Sequence, residues 1–199
     1  MKKTIIFTDG ASRGNPGPGG WGTIIVTESG SGTKVTEFGG AEARTTNNRM
    51  ELQAVLEGLV FVGGQADQNS GQIIIYTDSS YVLRGATEWL AGWQNKNWIT
   101  STKTEVLNRD IWEALAQVMV GKKIDWQLLS GHVGVAGNER ADKIATAFAD
   151  NKKFELYSGP IEKYGIDILN ISHNATQKEK RSDSKSRSRA KAYSYISKV

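Results

Sequence analysis

Two acidic residues occupy equivalent positions in two predicted strands of this chain. Asp9 ends a β-rich run at residues 4–8, and Asp78 ends a continuous apolar run at residues 72–76. Ligand sites in α/β sheets collect just beyond the carboxyl ends of the strands. If these two strands are neighbours, their terminal carboxylates therefore meet at one edge of the sheet.

Two further acids lie in the first turns of predicted helices, Glu51 in one and Asp142 in the other. Glu51 precedes Val55 by four residues and borders the apolar stripe of its helix, so its side chain should lean toward the core. Like charges 4 Å apart repel by about 4 kcal/mol at an effective dielectric near 20. Four clustered acids therefore persist only if they are protonated or neutralised by cations, and all-oxygen ligands favour Mg²⁺ or Mn²⁺.

Each acid also has a purely structural interpretation. Asn48 and Glu51 have the spacing of a capping box, and Asp142 can complement a helix dipole. Asp9 can belong to a turn with the glycine that follows it, and Asp78 can cap the next helix. These alternatives are credible one at a time, but the positions of the four acids as a set favour a shared site.

The elements that must position these acids follow from hydrophobic periodicity. Residues 14–22 form a glycine-rich turn between the first two strands, and the apolar run at 72–76 is typical of a strand buried on both faces. The pattern predicts an α/β fold, a mixed five-stranded sheet with helices on both faces. The predicted strands cover residues 4–8, 23–27, 33–38, 72–76 and 124–129, and the predicted helices cover 48–62, short pieces within 79–95, 105–120 and 138–149.

Composition excludes several classes of site. The chain of 199 residues has no cysteine and two histidines, so thiolate or histidine-rich metal sites are excluded. Its apolar runs are too short for a secretion signal or a membrane span, and we expect a cytoplasmic protein without membrane contact. Residues 1–158 carry 16 Lys and Arg against 17 Asp and Glu, whereas residues 159–199 carry 9 against 4. The basic character therefore lies in the C-terminal tail, within residues 159–199.

Four groups of motifs in this order resemble ribonuclease H of type 1, over about residues 3–150. They are TDG at 8–10 with GNPGPGG at 14–20, TTNNRMEL at 45–52, YTDS at 76–79, and GH at 131–132 with NERAD at 138–142. The glycine-rich loop alone would be weak evidence of function, because it lacks the Lys-Ser/Thr ending and the following helix of a phosphate loop.

The resemblance implies a ribonuclease H-like fold and an endonuclease that cuts the RNA strand of RNA–DNA hybrids, leaving 5′-phosphate and 3′-hydroxyl ends. It implies that Asp9, Glu51, Asp78 and Asp142 hold two Mg²⁺ ions, with Mn²⁺ as a substitute. It also implies that His132 assists proton movement and product release. A lone histidine is more often structural, but its place beside the Asp142 motif favours the catalytic interpretation.

The same resemblance implies contacts to the hybrid from the minor groove, where 2′-hydroxyls are displayed. Asn15, Asn47 and Asn48 are expected on the RNA side, and Arg44, Thr46 and Asn108 around a DNA phosphate. Tyr81, Trp93 and Trp98 are expected to form an aromatic channel against the deoxyriboses. Core packing is the alternative for such aromatics, and we assign Trp89 to the core and Trp93 to the channel.

Two departures from the family pattern affect substrate binding. Ser80 stands where relatives often have glutamine, and it is too short for the same reach. The segment at residues 93–98 resembles the substrate-binding protrusion but holds one lysine, Lys96, where relatives often carry several. Since each lost phosphate contact weakens binding and its salt dependence, the electrostatic grip of the protrusion is predicted to be reduced.

The sequence predicts four segments. Residues 1–153 form the catalytic domain, 154–176 an extension of unknown structure, 177–191 a basic low-complexity linker, and 192–199 the start of a further, truncated module. The linker is either a mobile arm that binds nucleic acid or merely a solvated connection. Its basic residues are Lys178, Lys180, Arg181, Lys185, Arg187, Arg189 and Lys191.

Two rival functions remain open at this point, a non-catalytic hybrid-binding module and another nuclease of the same fold. A complete set of four acids argues against a mere binder. The glycine-rich loop and the tryptophan segment favour ribonuclease H over other nucleases. We expect a monomer.

Overall fold

One mixed sheet forms the centre of the computed structural model, which describes residues 3–30, 32–64, 71–129 and 134–171. The strand order is β5-β4-β1-β2-β3-β6. Its strands are β1 (Lys3–Ser12), β2 (Gly17–Ser29), β3 (Gly32–Thr45), β4 (Gln72–Thr77), β5 (Lys123–Leu128) and β6 (Ser158–Pro160). β4 runs parallel to both β1 and β5, whereas β1–β2, β2–β3 and β3–β6 are antiparallel.

Helices lie between the strands in sequence and pack on the sheet. They are α1 (Asn47–Gly63), α2 (Ser80–Arg84), a π-helical turn (Gly85–Trp89), α3 (Leu90–Asn95), α4 (Arg109–Met119) and α5 (Ala136–Ala149), followed by a 3₁₀ turn (Ile161–Lys163). In the part of the chain that the structure describes, no helix is long and apolar enough to cross a membrane.

Alternate residues of β1 divide the core into two halves, because successive side chains of a strand point to opposite faces. Ile6 packs in a cluster with α1 and α4, whereas Ile5 and Phe7 pack in a second cluster with α5. Ile73 and Ile75 of β4 join the first cluster and are buried. The predicted α/β fold, with a mixed sheet and helices on both faces, is confirmed.

The five-stranded prediction misses β6, a sixth strand that pairs with the outer edge of β3. Val35 pairs with Gly159, and beyond the strand Tyr164 and Ile168 are buried in the second cluster, 8% and 1% exposed. A three-residue strand containing Gly159 and Pro160 has no alternation for a sequence pattern to detect. Residues up to 171 therefore pack on the same sheet as the predicted catalytic domain.

Several boundaries also differ from the predictions. β2 begins at Gly17, inside the predicted turn, because its glycines pair with β1 as far as Ser12. α4 begins at Arg109 rather than near residue 105: Glu105 bridges to Ile99, and Asn108 adopts a left-handed conformation with φ 59°. Neither the bridge nor the left-handed residue changes the spacing of apolar residues, so hydrophobic periodicity could not predict this boundary.

Candidate active site

Asp9 and Asp78 lie side by side because β1 and β4 are adjacent parallel strands. The last pair in register is Phe7 with Tyr76, and each aspartate follows its strand's paired residue by two positions. β1 itself continues to Ser12 through its pairing with β2, so Asp9 stands where the parallel pair ends and not where the strand ends. The predicted meeting of the two carboxylates at this edge follows from the register.

Glu51 reaches the same edge from the first turns of α1. A Cβ on Gly10 would lie 2.2 Å from the Glu51 amide nitrogen, so only glycine lets β1 approach α1 this closely. The Glu51 carboxylate accepts a hydrogen bond from Asn47 Nδ2 at 2.8 Å and another from the Ser79 hydroxyl. Thr46, and not a capping box between Asn48 and Glu51, caps α1. Glu51 is therefore free of a capping role.

Asp142 approaches from the other face of the sheet on α5. The helix begins at Ala136, so Asp142 lies beyond its first turn and is badly placed to complement the helix dipole. Asp142 Oδ1 is 3.5 Å from Thr146 Oγ1, one turn further along. The four acids line a single cavity of about 490 Å³, together with Asn47, Thr146 and residues 10–13.

Burial and mutual repulsion act on the ionisation of two of these acids. Burial, then the neighbouring charges of Asp78, Asp142 and Glu51, raise the pKa of Asp9 to about 8, against the opposing hydrogen bond from the Gly10 amide. Burial likewise raises the pKa of Glu51 to about 7, although Ser79 and Asn47 stabilise its charged form. A cation at this cavity would reverse both shifts, because it favours the ionised carboxylates.

The donor set of this cavity fits hard divalent cations, since carboxylate and amide oxygens are what Mg²⁺ and Mn²⁺ prefer. Within the described residues, no group of three or more acidic or histidine side chains already converges closely enough to hold an ion. The four carboxylates thus line one cavity, but they are not arranged around one common metal position. Their mutual repulsion is the physical reason to expect them to draw together when a cation neutralises them.

Two polar residues outside the predicted site, Ser79 and Asn138, support the acids. Ser79 donates to Glu51 and accepts a hydrogen bond from the Val82 amide at 3.2 Å, so it, and not Asp78, caps α2. Asn138 is buried, and its Nδ2 donates to Asp78 Oδ2 at 3.3 Å. Both residues lie in the motifs YTDS and NERAD, which is the signal that could have identified them.

The predicted substrate residues are only partly brought together. Asn47 lines the cavity, and Thr46 is the N-cap of α1. Asn15, Arg44 and Asn48 are exposed and do not line the cavity. Asn108 Nδ2 donates to Tyr81 Oη at 3.1 Å. Ser80 is exposed at the first position of α2. His132 lies outside the described residues.

The aromatic residues form one cluster around Trp112, which is fully buried. The rings of Tyr81 and Trp93 contact it edge-on, at centroid distances of 5.7 and 5.5 Å. Trp93 and Trp89 are both half-buried, whereas Trp98 is 9% exposed and belongs to the core. Tyr81 and Trp93 therefore retain surface for a ligand, and Trp98 retains little.

Comparison with known proteins identifies similar chains. The ribonuclease H family model matches residues 1–150. A ribonuclease H of Cyanothece sp. is 51% identical over 153 residues, which cover 76% of this chain and 92% of that protein. LC9-RNase H1, a type 1 RNase H with the type 2 active-site motif, superposes with a TM-score of 0.70 at 26% identity, covering 82% of this chain and 81% of that one. LC11-RNase H1 in complex with an RNA/DNA hybrid has a TM-score of 0.51 at 24% identity, covering 74% and 97%.

Proposed function

This chain belongs to the ribonuclease H family, and on that premise we propose that it hydrolyses the RNA strand of RNA–DNA hybrids endonucleolytically. The products carry 5′-phosphate and 3′-hydroxyl ends. The observation that carries the proposal is that four acids from separate parts of the chain, Asp9, Glu51, Asp78 and Asp142, line one cavity. Because one chain supplies all four acids, we propose that the protein acts as a monomer.

The four carboxylates would hold two Mg²⁺ ions, for which Mn²⁺ can substitute. The bound ions supply activation of the attacking water and stabilisation of the leaving 3′-oxygen. The residues of this chain prepare that chemistry by orientation: Ser79 and Asn47 fix the Glu51 carboxylate, and Asn138 fixes that of Asp78. The raised pKa values of Asp9 and Glu51 support the assignment, because they reflect crowded acids that need cationic charge.

The hybrid would lie across this cavity with its RNA strand toward the acids. Asn15, Asn47 and Asn48 contact the RNA side, and the position of Asn47 on the cavity wall supports this assignment. Tyr81 and Trp93 pack on deoxyriboses with a smaller contribution from Trp98, and Ser80 lies beside them in sequence. Arg44, Thr46 and Asn108 grip a DNA phosphate. His132 moves a proton or assists product release, and the basic tail adds contacts to phosphates.

One assay tests the proposal. End-labelled RNA–DNA hybrid, duplex RNA, duplex DNA and single-stranded RNA are each incubated with Mg²⁺ or with EDTA, using the wild type and Asp78→Asn. We expect cleavage of the RNA in the hybrid alone, with Mg²⁺ and the wild type alone. Hybrid binding without cleavage would instead identify a binding module, and cleavage of duplex DNA would identify another nuclease of this fold.

A further inference from the structure

One cationic side chain, Arg13, stands among the described residues that line the acidic cavity. It lies in the turn between β1 and β2, two residues past the Gly10–Ala11 pair that borders the acids. A cavity with four carboxylates repels the phosphodiester backbone of a nucleic acid. A cation on its wall is therefore the group that can attract a phosphate to it.

The glycine-rich turn fixes the backbone of Arg13. The Arg13 amide donates to the Pro18 carbonyl at 2.7 Å, closing the turn. A Cβ on Gly17 would lie 2.5 Å from the Arg13 carbonyl oxygen, so the chain can pass this close to Arg13 only with glycine at position 17. The turn therefore positions Arg13 at the cavity, which gives the glycine-rich segment a role although it is not a phosphate loop.

The side chain of Arg13 is also held, but only at one nitrogen. Its Nε donates to Asp150 Oδ1, and Lys152 Nζ donates to the other oxygen of Asp150 at 3.0 Å. Within the described part of the chain, neither terminal nitrogen of Arg13 has a hydrogen-bond partner. The three side chains together carry two positive charges and one negative, a net of +1.

We propose that Arg13 is a substrate-binding residue that holds a phosphate of the RNA strand beside the scissile one. This rests on the proposed function, because the acids define where the scissile phosphate lies. The terminal nitrogens of a guanidinium match two phosphate oxygens in a bidentate contact. Asp150 holds the guanidinium through Nε, and Arg13 itself lines the cavity. An exposed ion pair alone contributes little to stability, so the arrangement has little structural purpose.

Arg13→Gln and Arg13→Lys test this role, with Lys34→Gln as the matched control. Lys34 is exposed on β3 and pairs with Thr27, which in turn pairs with Thr4, so it lies at the opposite end of the sheet from Asp9. Its substitution removes the same charge from a place far from the cavity. Thermal unfolding of all variants checks that each one folds.

For Arg13→Gln we expect KM for a hybrid to rise on the order of tenfold at low salt, with little change in kcat. The plot of log(kcat/KM) against log salt should become shallower by about 0.9, the value for one lost phosphate contact. Arg13→Lys should keep the slope but not the full affinity, since it keeps the charge and loses the fork. Lys34→Gln should match the wild type. A slope unchanged in Arg13→Gln overturns the proposal.

Single methylphosphonates in the RNA strand locate the contact, because they remove the charge of one phosphate at a time. In a hybrid with one cleavable segment, replacement at the contacted position should slow the wild type but not Arg13→Gln. If each methylphosphonate slowed Arg13→Gln as much as it slows the wild type, at every position near the cut, the proposed contact would be overturned. The proposed cleavage of hybrids would not be affected by that result. Absence of cleavage by the wild type would overturn the proposed function instead.

Discussion

Arg140 donates two hydrogen bonds, of 2.8 and 2.9 Å, to the two carboxylate oxygens of Glu37, whose side chain is fully buried. Glu37 also accepts from the Tyr164 hydroxyl at 2.5 Å and from the Tyr157 amide at 2.9 Å. The carboxylate thus joins β3, α5 and the segment after α5. Since Arg140 precedes Asp142 by two residues on α5, this network supports the helix that carries one of the four acids.

Glu37→Gln should destabilise the protein by about 2–4 kcal/mol at neutral pH, because it leaves Arg140 without a charged partner. Burial alone would raise the pKa of Glu37, but hydrogen bonds from Arg140, Tyr164 and the Tyr157 amide outweigh it and lower that pKa. A lowered pKa means that the stabilisation is present above the unfolded value near 4.5 and is lost as the pH falls through the folded value. Urea unfolding at pH 7 and pH 3 measures this, and the two proteins should differ less at pH 3. Tyr164→Phe, which removes one hydrogen bond, should cost less than Glu37→Gln at pH 7.

Asp9 should make stability depend on pH in the opposite direction when cations are chelated. Its pKa is raised to about 8 and that of Glu51 to about 7. In the unfolded chain the two carboxyls have their ordinary pKa values, 3.8 and 4.5. The stability that comes from keeping them protonated in the fold is therefore fully present below about pH 4 and is lost as the pH rises to about 8. Asp9→Asn cannot ionise at this position, so in EDTA it should be more stable than the wild type by several kcal/mol at pH 8.

Thermal unfolding in EDTA at pH 5 and pH 8 measures the effect of Asp9→Asn. The exposed Asp167 supplies a control substitution, Asp167→Asn, that should change little at either pH. Mg²⁺ should stabilise the wild type more at pH 8 than at pH 5, because it binds the ionised acids. A wild type that gains stability between pH 5 and pH 8 in EDTA would contradict the assigned crowding of the acids.

Ser79→Ala should weaken Mg²⁺ binding or hybrid cleavage by about 10–100-fold, as is usual for a residue that orients a metal ligand through a hydrogen bond. The hydroxyl holds the Glu51 carboxylate and also caps α2, so a stability loss of about 0.5–2 kcal/mol should accompany it. Ser79→Thr keeps both hydrogen bonds and should restore both properties. Mg²⁺ titrations of cleavage rate separate metal affinity from maximal rate. A normal Mg²⁺ dependence in Ser79→Ala would assign Ser79 to helix capping alone.

His132→Ala should slow turnover by about 10²–10⁴-fold without abolishing it, the usual contribution of a positioned proton carrier. The motive is the family resemblance of the motif at residues 131–142. If product release is its main task, the loss should be larger in multiple turnover than in single turnover. Measuring both regimes on one hybrid distinguishes the two roles, and wild-type rates in both would make His132 a structural residue.

Removing residues 172–199 should weaken hybrid binding without changing the preference for hybrid over duplex DNA. These residues carry eight Lys and Arg against two Asp and Glu, a net of +6, and basic arms bind phosphates without reading sequence. The plot of log affinity against log salt should become shallower by about 0.9 for each lost phosphate contact. A salt titration with Ca²⁺ in place of Mg²⁺, to suppress cleavage, measures this.

The cut must follow Ile171, because Tyr164 and Ile168 are buried in the core. A truncation at residue 158 should therefore lose stability as well. Replacing the seven basic residues of 178–191 by glutamine supplies a full-length control that should reproduce the shallower slope. Identical slopes for all of these proteins would leave the tail as a solvated linker.

The sequence by itself was sufficient to predict that the four acids lie together, as they do in the cavity, and to predict the types of the main elements. Apolar periodicity reports which faces are buried, so β4 and α1 could be predicted from residues 72–76 and 48–62. The motifs added Asn47, which lines the cavity. These are properties of short segments, in which the residues that determine the structure are neighbours in the chain.

Only the tertiary structure decided which distant residues meet. The parallel register of β1 and β4 brings Asp9 beside Asp78, and Arg13 reaches Asp150 across 137 positions of sequence. Glu37 similarly binds Tyr164 across 127 positions. Such contacts leave no local periodicity, since each partner would fit its own strand, turn or helix equally well without the other. Burial in the assembled core selects the strand register and the contacts of Glu37, so the proposed role of Arg13 and the packing of the segment after α5 became visible only in the fold.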